Sequence, residues 1–380
     1  MRTLRLTLWP LMVFFLAVPE RSFAQPAQKA DTSQTLIHTE ILKTRRTRIN
    51  VYPFLFYTPE TEFAFGVGGL ITFYTSEYVF LRPSKISVSA YYSTKKQYRI
   101  SLSPQIYFVR NKFLLSANLD YGYYVDKFWG VGNDTPDIEK ENYASRAWGV
   151  EISLQLPPGV DFIPHTKTGF IYDFLDNRIE DKRANPYLLT GSLTGSEGGI
   201  SSGLGMLWVW DNRDHIFYPT RGGYHQARAI FYMKAIGSDF DFNRYLIDLR
   251  QYLPLSSKSV LALQGFGSFV RGNPPFYELS TLGGAGIMRG YYQGRYRDRA
   301  HLAGQVEYRT DLWRRFGLAG FAALGDVSDN LHDFRIDEAK FAGGFGLRFK
   351  FNEAEKVNLR ADIGFGKNTS GVYFSVEEAF

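Results

Sequence analysis

From Ile49 onward, apolar and polar positions alternate with a period of two through nearly the whole 380-residue chain. The segment Val357–Gly366 shows the pattern most cleanly. Val357, Leu359, Ala361, Ile363 and Phe365 share one face, and Asn358, Arg360, Asp362, Gly364 and Gly366 share the other. A strand in a soluble core would not turn Arg and Asp inward, whereas a strand with lipid outside and water inside would. Residues 302–312 repeat the arrangement, with Leu302, Val306, Tyr308 and Leu312 opposite Gln305, Glu307, Arg309 and Asp311. Residues 341–351 repeat it again, with Arg348 and Lys350 facing away from Phe341, Phe345, Leu347, Phe349 and Phe351.

Read this way, the chain holds strands near 49–58, 62–75, 84–94, 97–109, 112–126, 141–156, 160–175, 199–210, 222–236, 240–253, 258–271, 301–312, 315–327, 339–351, 355–366 and 371–380. These segments predict an all-β fold, a 16-stranded antiparallel transmembrane β-barrel. An even strand number returns both ends of the barrel to one side, and most segments reach the roughly 9–11 residues a tilted strand needs to cross a bilayer. If the first strand runs outward, the long connections 127–140, 176–198 and 272–300 all lie outside, and most connections on the other side are short turns.

Composition sharpens the class. The chain carries 25 Tyr, 32 Phe and 36 Gly with a mean hydropathy of −0.23, and after Ala24 no apolar run is long enough for a spanning helix. Arg2 and Arg5, the apolar run Leu6–Val18 and the small-x-small pattern Ser22-Phe23-Ala24 read as a signal peptide over 1–24. Its removal takes three arginines and one glutamate from a net charge of +6, leaving 6 − 3 + 1 = +4. So mild a balance does not call for nucleic acid. There is no cysteine, which excludes a disulfide framework and thiolate metal sites. The expected organisation is therefore a signal peptide (1–24), a short periplasmic segment (25–48) and an outer-membrane barrel (49–380).

One stretch breaks the alternation. Gly283–Asp298 is glycine-rich and places Arg289, Arg295 and Arg297 among tyrosines, with Arg299 just beyond. As a surface loop it would waste Ile287, Met288, Tyr291 and Tyr292 on water. Glycines permit a tight path back into a wide lumen, where an arginine can meet an inward acid.

Two motifs carry a family resemblance. Asp211-Asn212-Arg213-Asp214 followed by Pro219-Thr220-Arg221-Gly222 resembles the D-x-R-D…P-x-x-G periplasmic turn of the BamA/TamA outer-membrane superfamily, also called the bacterial surface antigen family. Met288-Arg289-Gly290-Tyr291 resembles that family's [VI]-R-G-[FY] motif, in the same sixth outside loop between strands eleven and twelve. The likeness covers essentially all of 49–380. It implies a re-entrant sixth loop in which Arg289, with Gly290 and Tyr291, is locked to Glu307 on the inner wall. It also implies a turn built by Asp211, Arg213, Asp214, Pro219 and Gly222, and a C-terminal assembly signal containing Tyr373, Phe374 and Phe380.

The chain departs from the pattern in two places. The family's second acidic partner falls at Ala323, so Arg289 keeps one expected carboxylate unless Asp326 substitutes. Between Ala24 and Ile49 there is room for none of the roughly 75-residue POTRA domains that the resemblance associates with chaperone docking and substrate delivery.

Other matches carry little weight. Gly199–Gly203 fits G-x-S-x-G but lacks the strand-to-helix turn of a nucleophile elbow. Gly284, Gly286 and Gly290 lack dinucleotide-binding spacing, and the six histidines show no metal-ligand spacing. Asp211 and Asp214 with His215 or His225 lack a third catalytic partner. Phe128, Trp129, Trp148, Trp208, Trp210 and Trp313 read as interface aromatics. The charges of 176–198 read as a solvated loop.

The expectation is thus a non-enzymatic outer-membrane barrel without cofactor or metal. By resemblance it assists protein insertion, translocation or lipid handling at the outer membrane. Its expected partners are outer-membrane lipids and lipopolysaccharide, unfolded outer-membrane proteins, and the barrel assembly machinery for its own insertion. The alternative is a passive pore or structural surface barrel.

Overall fold

The computed structural model describes residues 47–77, 81–138, 140–157, 164–352, 357–376 and 378–380. The expected signal peptide and nearly all of the segment 25–48 lie outside the described residues.

Alternation closes the sheet. Eleven consecutive strands form first: β1 (Arg48–Thr58), β2 (Glu62–Phe73), β3 (Ser84–Ser93), β4 (Tyr98–Phe108), β5 (Phe113–Lys127), β6 (Asn142–Leu156), β7 (Thr166–Asp181), β8 (Gly198–Asp211), β9 (Gly222–Tyr232), β10 (Phe242–Pro254) and β11 (Ser259–Gly272). A small two-stranded sheet, β12 (Ser280–Leu282) and β13 (Tyr296–Asp298), stands apart from the wall. Five more strands complete the circuit: β14 (Ala300–Trp313), β15 (Phe316–Ser328), β16 (Lys340–Asn352), β17 (Val357–Gly366) and β18 (Thr369–Val376). Each wall strand pairs antiparallel with its neighbours, β11 pairs β14 directly, and β18 meets β1, giving a closed barrel of sixteen strands.

The two faces separate as the period of two requires. On β16, Phe341, Phe345 and Leu347 are 58–62% exposed while Arg348 is 3% exposed. On β14, Leu302, Val306 and Tyr308 are exposed, and Gln305, Glu307 and Arg309 are buried. The apolar face is therefore the outer one, and the buried charges line the interior.

Three elements differ from the sequence expectation. Strand β7 is displaced from 160–175 to Thr166–Asp181, so Asp176, Arg178, Glu180 and Asp181 belong to a strand rather than to the loop. The charges extend the ladder because they pair across it: Trp148 donates to Asp176, and Arg146 pairs with Glu180 at 3.1 Å. Strand β9 stops at Tyr232, where Lys234–Ile236 form a 3-10 turn ending at Gly237 with φ +91°. Strand β18 stops at Val376, and Phe380 leaves the wall altogether.

The wall is laddered unevenly. β17 and β18 share eight paired positions from Leu359↔Val376 to Gly366↔Thr369, and β1 and β2 pair along their full lengths. Between β1 and β18 the only pair among the described residues is Tyr57↔Phe374. This is the seam of the barrel.

Replacing Leu347, mid-strand on the outer face, by Arg should destabilise the folded barrel in vesicles by about 2–4 kcal/mol if that face meets lipid. The check is a reversible denaturant titration, and an unchanged midpoint would place the outer face in water.

Candidate functional site

The segment Gly283–Arg295 does not project from the barrel. After β12 the backbone takes left-handed conformations at Gly283 (φ +108°), Gly284 (+111°), Met288 (+57°) and Gly290 (+116°). A positive φ is uncommon for a residue that carries a Cβ, as Met288 does. Its side chain is fully buried with Leu282, Tyr291, Ala303 and Ala323, and that packing holds the turn. The turn drives Arg289 against the inner wall.

Arg289 is completely buried, and its guanidinium forks between two strands. One terminal nitrogen pairs with Glu307 on β14, and the other with Asp362 on β17 at 2.5 Å. The plane lies over the Phe321 ring on β15, 3.5 Å from its centroid. Two buried carboxylates and an aromatic face suit a planar guanidinium, which is more weakly hydrated than an ammonium and offers a rigid fork of donors.

Small residues clear the approach. A Cβ on Gly290 would meet the backbone of Phe365 at 2.7 Å, and one on Gly364 would meet Arg289's carbonyl carbon at 2.6 Å. Loop and wall touch here backbone to backbone, which only glycine permits. Hydrogen bonds fix the contact. Gly290 N–H donates to the Tyr373 hydroxyl at 2.9 Å, Thr369 Oγ1 donates to the Gly290 carbonyl at 3.0 Å, and the Tyr291 hydroxyl accepts from Lys367 N–H at 2.9 Å and donates to the Phe341 carbonyl at 3.2 Å.

The charges around Arg289 form one cluster. Glu307 also pairs with Arg309 at 2.7 Å and Arg348 at 3.4 Å; Asp362 also pairs with Arg348 at 2.5 Å and Arg360 at 3.4 Å. Glu378 joins through Arg348 at 2.7 Å and Arg309 at 3.7 Å. Four arginines and three carboxylates give 4 − 3 = +1. Arg360 spends its remaining donors on Ser375 Oγ at 2.9 Å and the Ala285 carbonyl at 3.3 Å.

The structure thus brings Arg289, Gly290, Tyr291, Glu307 and Tyr373 together. It departs from expectation on the second acid. Asp326 is not near Arg289: it pairs in register with Leu302 and lies two residues from Leu324, both on the outer face. Asp362 takes the role instead. It was already legible as inward-facing on its strand, but nothing in the local sequence ties it to a loop residue 73 positions away.

The turn residues Asp211, Arg213, Asp214, Pro219 and Gly222 sit together at the short-turn end of the barrel. Asp211 pairs with Arg213 at 2.9 Å, and Asp214 accepts Thr220 N–H at 2.8 Å and Arg221 N–H at 3.2 Å. Gly222 has φ +91°, and a Cβ there would strike the Asn212 carbonyl at 2.4 Å. His215 Nδ1 accepts Phe217 N–H at 3.2 Å within the same turn, and His225 stacks on Trp210.

Phe374 faces outward at the seam, 45% exposed, but Phe380 does not extend β18. Gly199–Gly203 runs within β8 and lacks a strand-to-helix turn. Phe128 and Trp129 are buried rather than interfacial. Phe128 packs with Tyr143, Leu188 and Phe276, and Asn185 donates to the Phe128 and Glu141 carbonyls at 2.9 Å. This apolar cluster ties together the three longest loops. Arg295 and Arg297 join the sixth loop to the third, through Asp137 at 3.0 Å and the Lys127 carbonyl at 3.2 Å. Burial pushes the Tyr292 phenol well above its ordinary value, and the Asp126 and Glu60 carboxylates add to the shift.

A closed sixteen-stranded barrel with an apolar outer face and an arginine-bearing loop anchored inside defines an outer-membrane β-barrel. The model of the Omp85 superfamily domain matches residues 80–380, and the chain belongs to that superfamily. Solved structures with the same fold include BamA from Haemophilus ducreyi lacking POTRA domains 1–3, at 14% identity and TM-score 0.61, with 87% of this chain and 70% of that one covered. CdiB from Acinetobacter baumannii is similar at 13% identity and TM-score 0.55, covering 89% and 66%. CdiB from Escherichia coli is similar at 12% identity and TM-score 0.55, covering 90% and 70%. The chain is accordingly a bacterial outer-membrane protein.

Arg309, Arg348 and Arg360 still face Glu307 and Asp362 when Arg289 is removed, so what is lost is its buried charge-assisted hydrogen bonds. Arg289→Ala is therefore expected to cost about 1.5–3 kcal/mol of barrel stability. Arg289→Lys should recover only part of it, because an ammonium cannot fork between Glu307 and Asp362. Asp362→Asn should weaken the barrel more than Asp326→Asn, since only Asp362 belongs to the cluster. Denaturant titration of the heat-modifiable folded band checks the series, and equal midpoints for the two aspartate variants would contradict the assignment.

Proposed function

We propose that the protein assists insertion or translocation of other proteins at the outer membrane, using the seam between β1 and β18. The observation that carries this reading is that, among the described residues, β1 and β18 share the single pair Tyr57↔Phe374 in a wall otherwise laddered strand to strand. An edge with unpaired amides and carbonyls templates an incoming strand, and bilayer hydrocarbon offers those groups no competing partner. The remaining ladder stays closed while this one join gives way.

Arg289 serves as the lock that holds the sixth loop in the lumen and keeps the wall rigid on the β18 side of the seam. The partners on this reading are unfolded outer-membrane proteins, with lipopolysaccharide and outer-membrane lipids around the barrel and the assembly machinery acting on the barrel's own insertion. Lipid handling is a variant of the same reading, since a parted seam joins lumen to bilayer.

A passive pore is the second reading, supported by a polar lumen region lined by Arg99, Asp120, Glu151, Asp173 and Arg244. The apolar packing of Phe128, Tyr143, Leu188 and Phe276 across the long-loop end weighs against a freely open channel.

Depletion of the protein followed by quantitative profiling of the outer membrane separates the two. Several other barrels should fall in abundance on the first reading. Unchanged barrel abundance with a loss of solute conductance would overturn it in favour of the pore.

A further inference from the structure

The lipid-facing wall carries a cleft that neither the seam nor the loop contact accounts for. Across β10, β11, β14 and β15, Leu249 pairs with Gly265, Gly265 with Gly304, and Gly304 with Leu324. All four positions face outward. The two leucines, 46% and 45% exposed, stand on either side of the paired glycines. The wall therefore has a gap two strands wide between apolar ridges.

Backbone geometry requires neither glycine. Neither takes a left-handed φ. A Cβ on Gly265 would meet nothing within 4 Å, and one on Gly304 only the Gln264 carbonyl oxygen at 4.0 Å. Gly290 and Gly364 are different, because loop and wall backbones touch there. A glycine inside a strand weakens it through conformational entropy, and it often marks a place where a ligand approaches the backbone.

The β15–β16 connection closes the cleft from the long-loop end. Phe334 and Ile336 line it together with the wall residues, around a mainly apolar volume of about 440 Å³. Ligand sites commonly fall at roughly 300–1,000 Å³. An apolar cavity does not hold water, and this one opens onto bilayer hydrocarbon, so a lipid chain is the occupant its surroundings supply. Charges gather at the lip. Residues 326–340 hold five carboxylates (Asp326, Asp329, Asp333, Asp337 and Glu338) against Arg335 and Lys340, a net 2 − 5 = −3. Arg335 is already committed to Asp337 and Glu338, at 3.1 Å each. Such a lip attracts an ammonium and repels a headgroup that offers only phosphate.

We infer that the cleft is a lipid site. It takes one acyl chain of a lipid in the leaflet at the long-loop end, and the lip selects a zwitterionic head that carries an ammonium. Strands β16 to β18 separate it from the seam, so the site goes beyond the function proposed above and does not rest on it.

Native mass spectrometry of the purified full-length barrel tests the site. The protein is moved from nanodiscs of equimolar phosphatidylethanolamine and phosphatidylglycerol, with matched chains, into detergent with EDTA to remove bridging divalent cations. The parent should retain phosphatidylethanolamine in preference. Gly304→Leu fills the floor and should lower that retention about tenfold, the affinity carried by roughly two buried methylene groups. Phe334→Ala removes part of the lining contributed by the loop and should act in the same direction. Gly320→Leu is the control, because Gly320 pairs with the outward Tyr308 away from the cleft and a Cβ there also meets nothing within 4 Å. It should retain lipid like the parent. Heat-modifiable mobility shows which variants are folded, and if one cleft variant fails to fold, the other decides. Equal retention in the parent and a folded cleft variant, an equal loss in Gly320→Leu, or phosphatidylglycerol retained at the phosphatidylethanolamine level would overturn the site. The depletion experiment reads the seam and not this cleft, so the two can fail separately.

Discussion

Everything distinctive in this barrel depends on one desolvated contact, the guanidinium of Arg289 between Glu307 and Asp362. A carboxylate taken out of water is costly unless its charge is met and its lone pairs are filled. Glu307 and Asp362 lie on strands separated by two others and are both anions, so cations must stand between them. Arg289 from the loop and Arg348 from the wall each reach both. In turn the loop can stay in the lumen only because its own backbone groups and its arginine find partners there. The wall supplies the carboxylates that fill the loop arginine's donors, while Arg309, Arg348 and Arg360 pair the same carboxylates from the wall side.

The consequence is an asymmetric barrel. β14 to β18 are braced from inside by the loop, through contacts to Glu307, Phe341, Gly364, Asp362 and Tyr373. The seam lies at the edge of this braced region, where β18 stops short and its following residues turn inward. A wall that is stiff on one side of a join and thinly paired across it concentrates any opening at that join. Such an arrangement suits a protein whose work is done at the wall rather than through the pore.

Much of this was legible in the sequence, because a membrane barrel writes its faces with a period of two. Val357–Gly366 declares its inner and outer sides residue by residue, and the same alternation places Glu307 inward. The arginine loop stands out for the opposite reason, being the one long stretch where the alternation fails. What alternation cannot give is which inward residues meet across the lumen. Ala323 marks where one acid is missing, but its replacement, Asp362, comes from two strands further round the wall. Asp326, nearer in sequence, is on the wrong face by a single step of parity. Phe380 misled for a related reason: an alternating end such as Tyr373-Phe374-Ser375-Val376 gives no sign that the chain then leaves the sheet. The displacement of β7 arose because charged cross-strand pairs extend a ladder as well as apolar ones do, while the eye reads charge as loop.

The measurement that bears most directly on this structure is residue-resolved hydrogen exchange of the folded barrel in a bilayer. If internal bracing leaves the join between β1 and β18 as the weak point, amides of 48–56 on the seam side of β1 will exchange much faster than those of β14 to β17. The loop amide of Gly290, bonded to Tyr373, will be protected with the strands. Uniform protection around the wall, or a Gly290 amide that exchanges like an exposed loop, would contradict it.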